Sequence, residues 1–375
     1  MDKNINSILI VKLSAIGDVV HTLPLVEVLR KNFPEARIDW VVEEDSSQII
    51  KDHKDIDHVI VSHRKSWHRR LLKRGERSAA FREIIQFLKE LRSEEYDLVI
   101  DLHGLFKSGI LTGLSKGKRK VGTTGFTEGS QLFLTERPYP VDYNQHALDR
   151  YLKMADYLRC TKDSWKGRIP LRESDKTFID KFIRENAIQK ERLVAINPIA
   201  KWKTKLWEPS RFAILADRLQ KELSCEIVFT GSRDDRAVMD EILERMGERP
   251  FNLAGETNLK ELAYLYSNCR LLISTDTGPM HVAAAMGCPV VVLFGPTAPW
   301  RTGPYGEGHM VIREKIECSP CFKKKCSHLT CMKDISVDRV FDSVKEYFKD
   351  SNQKRRVQTT ASLRRNLSAS SGRAA

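Results

Sequence analysis

The stretch from Leu271 to Ala298, LLISTDTGPMHVAAAMGCPVVVLFGPTA, constrains this chain more than any other. Its apolar run stops at Ser274-Thr275-Asp276-Thr277-Gly278, and Pro279 suits the first turn of a helix, where its missing N–H would have no partner. A helix through Ala283, Ala284 and Ala285 closes at Gly287. Cys288 to Phe294 then forms a short apolar strand ended by Gly295-Pro296. Strand, turn, helix and strand in this order predict a parallel sheet buried on both faces, with ligands bound outside the carboxyl ends of its strands. A glycine-bearing turn opening a helix leaves N–H groups free at the positive end of the dipole, which suits a phosphate. Asp276 or Thr277 could instead simply cap the helix. His281 on the first turn weighs toward a ligand site.

The same pattern opens the chain. SILIVKL (Ser7 to Leu13) is a strand, Ser14 to Asp18 a turn with Gly17, and Val19 to Lys31 an amphipathic helix; Arg37 to Val42 is a second strand. Asp18 at the helix entry is either an N-cap or a carboxylate presented into a cleft. His58 to Ser62 reads as a third strand. The segment after it, HRKSWHRRLLKR (His63 to Arg74), is so densely basic around Trp67 that it predicts a flexible anion-binding segment rather than only a solvated face. Phe81 to Arg92 is helical, Tyr96 to Ile100 a strand, and Asp101 to Gly104 another polar turn at a strand end. Lys107 lies just inside the next helix, and Ser115 to Lys120 reads as a basic loop.

His146 to Leu158 is helical, and Arg168 to Asp175 is the best candidate linker. Residues 1–170 and 171–350 are therefore expected to form two domains, with a disordered basic tail at 351–375. Strands at Leu193 to Ile196 and Glu226 to Thr230, with helices at Ser174 to Glu185, Pro209 to Leu223, Gly231 to Glu248 and Leu259 to Ser267, restart the alternation; a terminal helix spans Val337 to Phe348. The fold class is α/β, with two Rossmann-like domains facing a cleft.

With 41% hydrophobic and 30% charged residues, no apolar run near the roughly 18–20 residues of a membrane span, and no signal-peptide layout in MDKNINSILIVKL, a cytoplasmic protein is expected. Of the formal charge of +13, six basic residues with no acid fall after Ser351, leaving a moderately basic folded part. No nucleic-acid partner is expected, for want of any finger, helix-turn-helix or RNA-binding signature; an anionic membrane surface or acidic substrate remains. Cys318, Cys321, Cys326 and Cys331 are spaced C-x2-C-x4-C-x4-C, tight enough for one structural zinc ion or for local pairing; a reducing cytoplasm argues against stable disulfides and favours free or redox-labile thiols. Cys160, Cys225, Cys269 and Cys288 read as small core residues.

Two separated segments, KLSAIGDVVHTLP (Lys12 to Pro24) and STDTGPMHVAAAMGCPVVVLFGPT (Ser274 to Thr297), resemble glycosyltransferase family 9, the ADP-heptose:lipopolysaccharide heptosyltransferases. DLHGLFKSGIL (Asp101 to Leu111) and KWKTKLWEPSRF (Lys201 to Phe212) are similar to family segments in the same order, so the resemblance covers about residues 7–345. VHTLP, the Trp67 segment and GLFKS are most like heptosyltransferase I. The resemblance implies a GT-B fold and inverting transfer from ADP-heptose to the Kdo of the inner core. It implies no cofactor or metal, and a peripheral location on the cytoplasmic face of the inner membrane with an anionic Kdo-lipid A type acceptor. It makes Asp18 the catalytic base and Lys205 the lysine facing the donor diphosphate. Thr277, Gly278 and the helix amino end would add N–H donors to the same phosphates, Asp276 and His281 would order that site, Asp235 would meet the ribose, and Thr257 would lie at the adenine. Arg64, Arg69, Arg70 and Lys107 would meet the acceptor's anionic groups. Two departures, Ala200-Lys201 where some members have paired threonines and Lys205-Leu206-Trp207-Glu208-Pro209 where the family usually reads K-x-W-P, bear on the donor more than on glycosyl transfer.

Other readings are heptosyltransferase II or another family 9 transferase with a different sugar, and a non-catalytic nucleotide-sugar or glycolipid binding protein, which would have no need of a carboxylate at Asp18. An NAD-linked oxidoreductase would want G-x-G-x-x-G after the first strand, where Ser14 to Asp18 offers one glycine.

Overall fold

A computed structural model describes residues 5–125 and 128–350; the tail expected at 351–375 lies outside them. The chain alternates strand and helix as β1 (Ser7–Val11), α1 (Ile16–Asn32), β2 (Arg37–Glu43), α2 (Glu44–Ile50), β3 (His58–Ser62), α3 (Arg64–Leu71), α4 (Arg77–Leu91), β4 (Glu95–Asp101), α5 (Phe106–Leu114), β5 (Lys116–Gly122) and α6 (Ala147–Tyr157). The five strands form a parallel sheet in the order β3-β2-β1-β4-β5. The second half holds α7 (Thr177–Glu185), β6 (Leu193–Asn197), α8 (Pro209–Leu223), β7 (Glu226–Phe229), α9 (Arg236–Leu243), β8 (Phe251–Asn252), α10 (Leu259–Asn268), β9 (Leu271–Thr275), α11 (Gly278–Ala285), β10 (Val290–Phe294) and β11 (Met310–Arg313). Its sheet, also parallel, runs β11-β10-β9-β6-β7-β8. This is the two-sheet α/β, GT-B arrangement that the sequence predicts. Strand order reverses between β1 and β4 in one sheet and between β6 and β9 in the other, which marks the crevices where such sheets hold ligands.

The central strands are runs rich in Val, Ile and Leu, buried on both faces. The polar–apolar alternation of a half-exposed strand is absent from β6, β9 and β10, all of whose residues are buried. The expected flexible segment at 63–74 is largely the helix α3: Trp67 buries its ring against Phe87, 5.3 Å between centroids, and donates its indole N–H to Glu83. The expected basic loop at 115–120 is instead mostly strand β5, because its backbone pairs with β4 from Glu95 to Asp101 and the charged side chains emerge from a sheet edge. Helix α1 begins at Ile16, three residues before the polar pattern suggests, so Asp18 sits on its first turn with Ala15 at the N-cap. The helix expected from Gly231 to Glu248 is confined to α9 and a preceding 3-10 turn. The elements α2, β8 and β11 carry no sequence signal that distinguishes them from loop.

One core cluster is continuous across the halves through α1, α6, α10 and α11. At the seam, a Cβ on Gly17 would lie 2.2 Å from the His281 ring, and one on Gly278 would lie 3.1 Å from Ile16 Cβ. Two glycines thus let the amino ends of α1 and α11 meet. His21 packs edge-on against both His281 and His146, with ring centroids 4.4 and 4.9 Å apart. His146 accepts the Leu148 N–H at Nδ1 and donates from Nε2 to the Gly303 carbonyl, whereas neither His21 nitrogen has a hydrogen-bond partner among the described residues. Burial pushes all three imidazoles down, His281 to about 4.

A basic group whose pKa falls on folding is protonated first in the unfolded chain, so stability is full above the unfolded value of about 6.5 and drains as pH falls toward 4. A single such histidine removes up to about 3 kcal/mol at the acid end. The melting temperature should therefore drop between pH 6.5 and 4, and His21→Phe, which keeps an edge-packed ring without a titrating nitrogen, should lessen that drop. Parallel curves for the two proteins would show that His21 does not titrate against folding.

Candidate functional site

On the first sheet, β1 ends at Val11 and the chain turns through residues 12–15 into α1. Lys12 leaves this turn into the interior, where it donates to the Leu102 carbonyl (2.9 Å) and the Tyr151 hydroxyl (2.7 Å). Tyr151, on α6, donates in turn to Asp18 Oδ1 at 2.7 Å. The Ala15 N–H donates to Asp18 Oδ2 at 3.2 Å, and Lys12 Nζ lies 3.9 Å from Oδ1. Asp18 is 39% exposed at the side chain, while Lys12 is buried. Burial works to raise the Asp18 carboxyl, but Lys12, the Tyr151 hydroxyl and the Ala15 N–H outweigh it and hold it below the ordinary carboxylate value. Burial lowers the Lys12 ammonium and lifts the Tyr151 phenol well above its usual range, so the phenol stays protonated and able to donate.

These groups line an open pocket with His103, Thr124, Tyr143 and Arg150. His103 is held neutral, its pKa lowered to about 3 by burial and then by Lys12 and Lys107. Asp101, at the end of β4, is spent on structure: it accepts the N–H groups of His103 and Gly104 and the Ser108 hydroxyl.

Of the residues the resemblance assigns to the acceptor, Arg64 and Lys107 converge on one buried carboxylate, Glu43, at 3.1 and 2.9 Å, and Lys107 also reaches Ser14 Oγ at 3.2 Å. Burial works to raise Glu43, and the two cations hold its pKa below the ordinary value. Arg70 is paired with Glu83 and Glu76, away from this cluster. Arg69 is exposed on α3 with no carboxylate partner among the described residues.

On the second sheet, the donor-side residues gather at strand ends. Lys205, on the 3-10 turn Lys203–Lys205 after β6, pairs with Asp276 Oδ2 at 2.6 Å, and both side chains are largely buried. The Thr297 hydroxyl donates to the same oxygen at 2.5 Å. Asp276 is therefore not the helix cap. Thr277 occupies the N-cap of α11 with extended backbone and no side-chain cap bond, and Gly278 follows as the first helical residue. Lys205 also lies over the Trp202 ring, 4.7 Å from its centroid. Asp235 accepts the Ser232 N–H (2.8 Å) and hydroxyl (2.6 Å), closing a capping box before α9. Thr257 is half-buried in the neighbouring loop, which is bound to the Asp235 turn through Gly255 N–H to the Gly231 carbonyl at 2.8 Å. His281 packs at the α1 seam against His21 and Gly17, close enough to Asp276 and Asp18 for both carboxylates to act on its pKa against the larger effect of burial.

Sequence reasoning missed Glu43, Arg150 and Tyr151 as members of the site, and it reaches Lys12 and Thr297 only as the ends of matching segments. A lysine closing an otherwise apolar strand was the one available signal, at Lys12. The four cysteines at 318–331 are free thiols, and among the described residues no group of three or more His, Cys, Asp or Glu is placed to hold a metal ion. Cys225, Cys269 and Cys288 are buried and Cys160 half-buried, in keeping with core roles.

Residues 84–332 match the profile of glycosyltransferase family 9 (heptosyltransferase). The chain is 31% identical over 364 residues to lipopolysaccharide heptosyltransferase 1 of Pseudomonas aeruginosa, covering 90% of this chain and 92% of that protein. It is 27% identical over 301 residues to lipopolysaccharide heptosyltransferase 3 of Escherichia coli, covering 75% and 80%. Among solved structures, the E. coli heptosyltransferase WaaC with ADP is 25% identical with a TM-score of 0.72, covering 91% of this chain and 99% of that one.

The Lys12–Tyr151–Asp18 chain makes a direct prediction. In Tyr151→Phe the carboxylate loses a donor, and its titration, followed by carbon-13 NMR of the Asp18 carboxyl, should move up from below the ordinary value near 3.9 by about one unit. An unmoved titration would mean that the hydroxyl does not hold the charged form.

Proposed function

This chain belongs to glycosyltransferase family 9, and on that premise we propose that it transfers heptose from ADP-L-glycero-β-D-manno-heptose, with inversion, to a hydroxyl of Kdo in the lipopolysaccharide inner core. The observation that carries the reading is Asp18: a carboxylate held ionised at the wall of an open pocket, beside the seam where the amino end of α11 meets α1. In the proposed step the acceptor oxygen attacks the anomeric carbon as its proton passes to Asp18. The bond from that carbon to the diphosphate oxygen breaks, and its electron pair leaves with ADP. A base of low pKa suffices because the oxocarbenium-like transition state acidifies the attacking hydroxyl as the new bond forms.

Charge accumulates on the departing diphosphate. Lys205 and the free N–H groups at Thr277 and Gly278 would offset it, with Asp276 and Thr297 steering the lysine before the donor arrives. The reading needs no metal and no cofactor, since this lysine and helix end supply the positive electrostatics. Asp235 would meet the ribose, the Thr257 loop the adenine, and His281 would keep the seam closed beside both substrates. On the acceptor side, Arg150, Lys107, Arg64 and Arg69 would receive Kdo carboxylates and lipid A phosphates; Arg70, tied to Glu83, would serve by holding α3 against α4. The enzyme would work as a peripheral protein on the cytoplasmic face of the inner membrane.

Relatives that include both heptosyltransferase 1 and heptosyltransferase 3 leave the acceptor for experiment. With ADP-heptose and Kdo2-lipid A, wild type should form product, and Asp18→Ala should lose about 100-fold or more in kcat while ADP affinity is kept. Full activity in the mutant would remove Asp18 as base. Transfer only to an already heptosylated core would assign a later heptose addition, and no transfer to either acceptor would overturn the proposed sugar.

A further inference from the structure

A helix packed on a sheet ordinarily turns charged residues to water. Helices α4 and α5 turn apolar side chains to water as well. They cover the same face of the first sheet, where Phe87 and Leu91 of α4 are buried with Leu9, Val11 and Val99, and where Ile84, Leu88 and Leu111 pack against them. The Arg92 guanidinium at the end of α4 bonds the Leu114 carbonyl at the end of α5, so the two helices lie side by side. Their outer faces nonetheless carry exposed apolar side chains at helical spacing: Phe81 and Ile85 on α4, and Phe106, Ile110 and Leu114 on α5. Leu132, on the 3-10 turn Ser130–Phe133, is 82% exposed beside them, its neighbour Phe133 packing on Phe106 at 5.9 Å between ring centroids. Single exposed apolar residues need no explanation, but a run along adjacent helices does.

The surroundings identify the partner. Residues 63–120 hold fifteen Lys and Arg against seven Asp and Glu. The acids are mostly engaged: Glu76 and Glu83 by Arg70, Glu90 by His58, Asp97 by Lys118. Arg69, Arg74, Arg82 and Lys89 are exposed and have no carboxylate partner among the described residues. Apolar side chains within a basic rim complement the headgroups and upper acyl region of an anionic bilayer. A second copy of the same face would instead set one basic rim against another.

We propose that the outer face of α4, α5 and the 130–133 turn is the surface by which this protein docks on an anionic lipid bilayer. It deepens the preceding reading, on which the acceptor is a membrane lipid, and it stands where such a lipid would need it. Helix α5 begins directly after residues 102–105, which line the Asp18 pocket, and Lys107 on its first turn reaches Ser14. The apolar stripe therefore starts at the pocket edge, so a lipid-anchored sugar would have only a short path from the bilayer to Asp18.

The test uses the full chain and sedimentation with vesicles of phosphatidylcholine alone or with phosphatidylglycerol. Wild type should bind the anionic vesicles, and raising ionic strength from 0.1 M toward 1 M, which shortens screening from about 10 to about 3 Å, should weaken but not abolish binding. Ile110→Ser with Leu132→Ser should cut vesicle affinity about tenfold, each serine removing an exposed apolar side chain without opening the core. Ile214→Ser, at an exposed apolar site on α8 of the other half, should bind as wild type does. ADP binding, measured in parallel, should be unaltered in all three. Unchanged vesicle affinity in the double variant would overturn the proposal. So would loss of a concentration-dependent dimer in that variant with vesicle binding intact, which would assign the face to a second copy. Because no sugar is involved, these outcomes are independent of whether the proposed transfer occurs.

Discussion

The close approach of two helix amino ends governs this molecule. Helices α1 and α11 belong to different sheets, yet Gly17 lies under the His281 ring and Gly278 under Ile16, with no room for a side chain at the first position. A helix amino end carries unpaired N–H groups and a partial positive charge. Two such ends brought together would repel unless anionic groups sit between or beside them. Asp18, on the first turn of α1, is one such group, and the phosphates of an ADP-sugar would be another. The same contact that joins the halves therefore brings the proposed base, Asp18, and the amino end of α11 to one seam, as the proposed transfer requires.

Charge is handled differently on the two sides of that contact. On one side a buried lysine acts through a neutral phenol: Lys12 donates to Tyr151, Tyr151 donates to Asp18, and the carboxylate keeps an exposed edge toward the pocket. On the other side the lysine is paired directly with a buried carboxylate, Asp276, whose remaining demand is met by Thr297. A direct buried pair is costly to break from one side, because the orphaned charge stays in a poor medium. Lys205 is thus held in one place by Asp276, which is the position the proposed donor phosphates would need it in. Glu43 performs a similar service for Arg64 and Lys107, which is why part of a densely basic segment is structured and paired rather than loose.

The members of that basic segment with no carboxylate partner among the described residues, Arg69 and Arg74, are exposed. The sheet beneath α4 and α5 needs only their inner faces for its core. Their outer faces are therefore available to meet another phase, and the pocket opens at the end of the same helix. The proposed site and the proposed docking face are joined through α5, whose first turn carries Lys107 to Ser14 and Glu43 and whose later turns expose Ile110 and Leu114.

Much of this was legible in the residues themselves. The glycine turns at Gly17 and Gly278, the buried strands, the helix after Pro209 and the candidate base at Asp18 all follow from backbone chemistry and periodicity over a few positions, which is local information. The sequence by itself thus determined the α/β alternation, the two sheets and the strand ends where chemistry belongs. Only the tertiary structure decided that Asp276 would pair with Lys205 rather than cap its helix, that Tyr151 would stand between Lys12 and Asp18, and that residues 116–122 would be a strand. Lys12 and Tyr151 are 139 residues apart, and Asp276 and Thr297 are 21. Such partners meet only because parallel strands bring distant turns to one sheet edge. A hydrogen bond or an ion pair depends on a few ångströms of that arrangement and leaves no periodic trace in the chain.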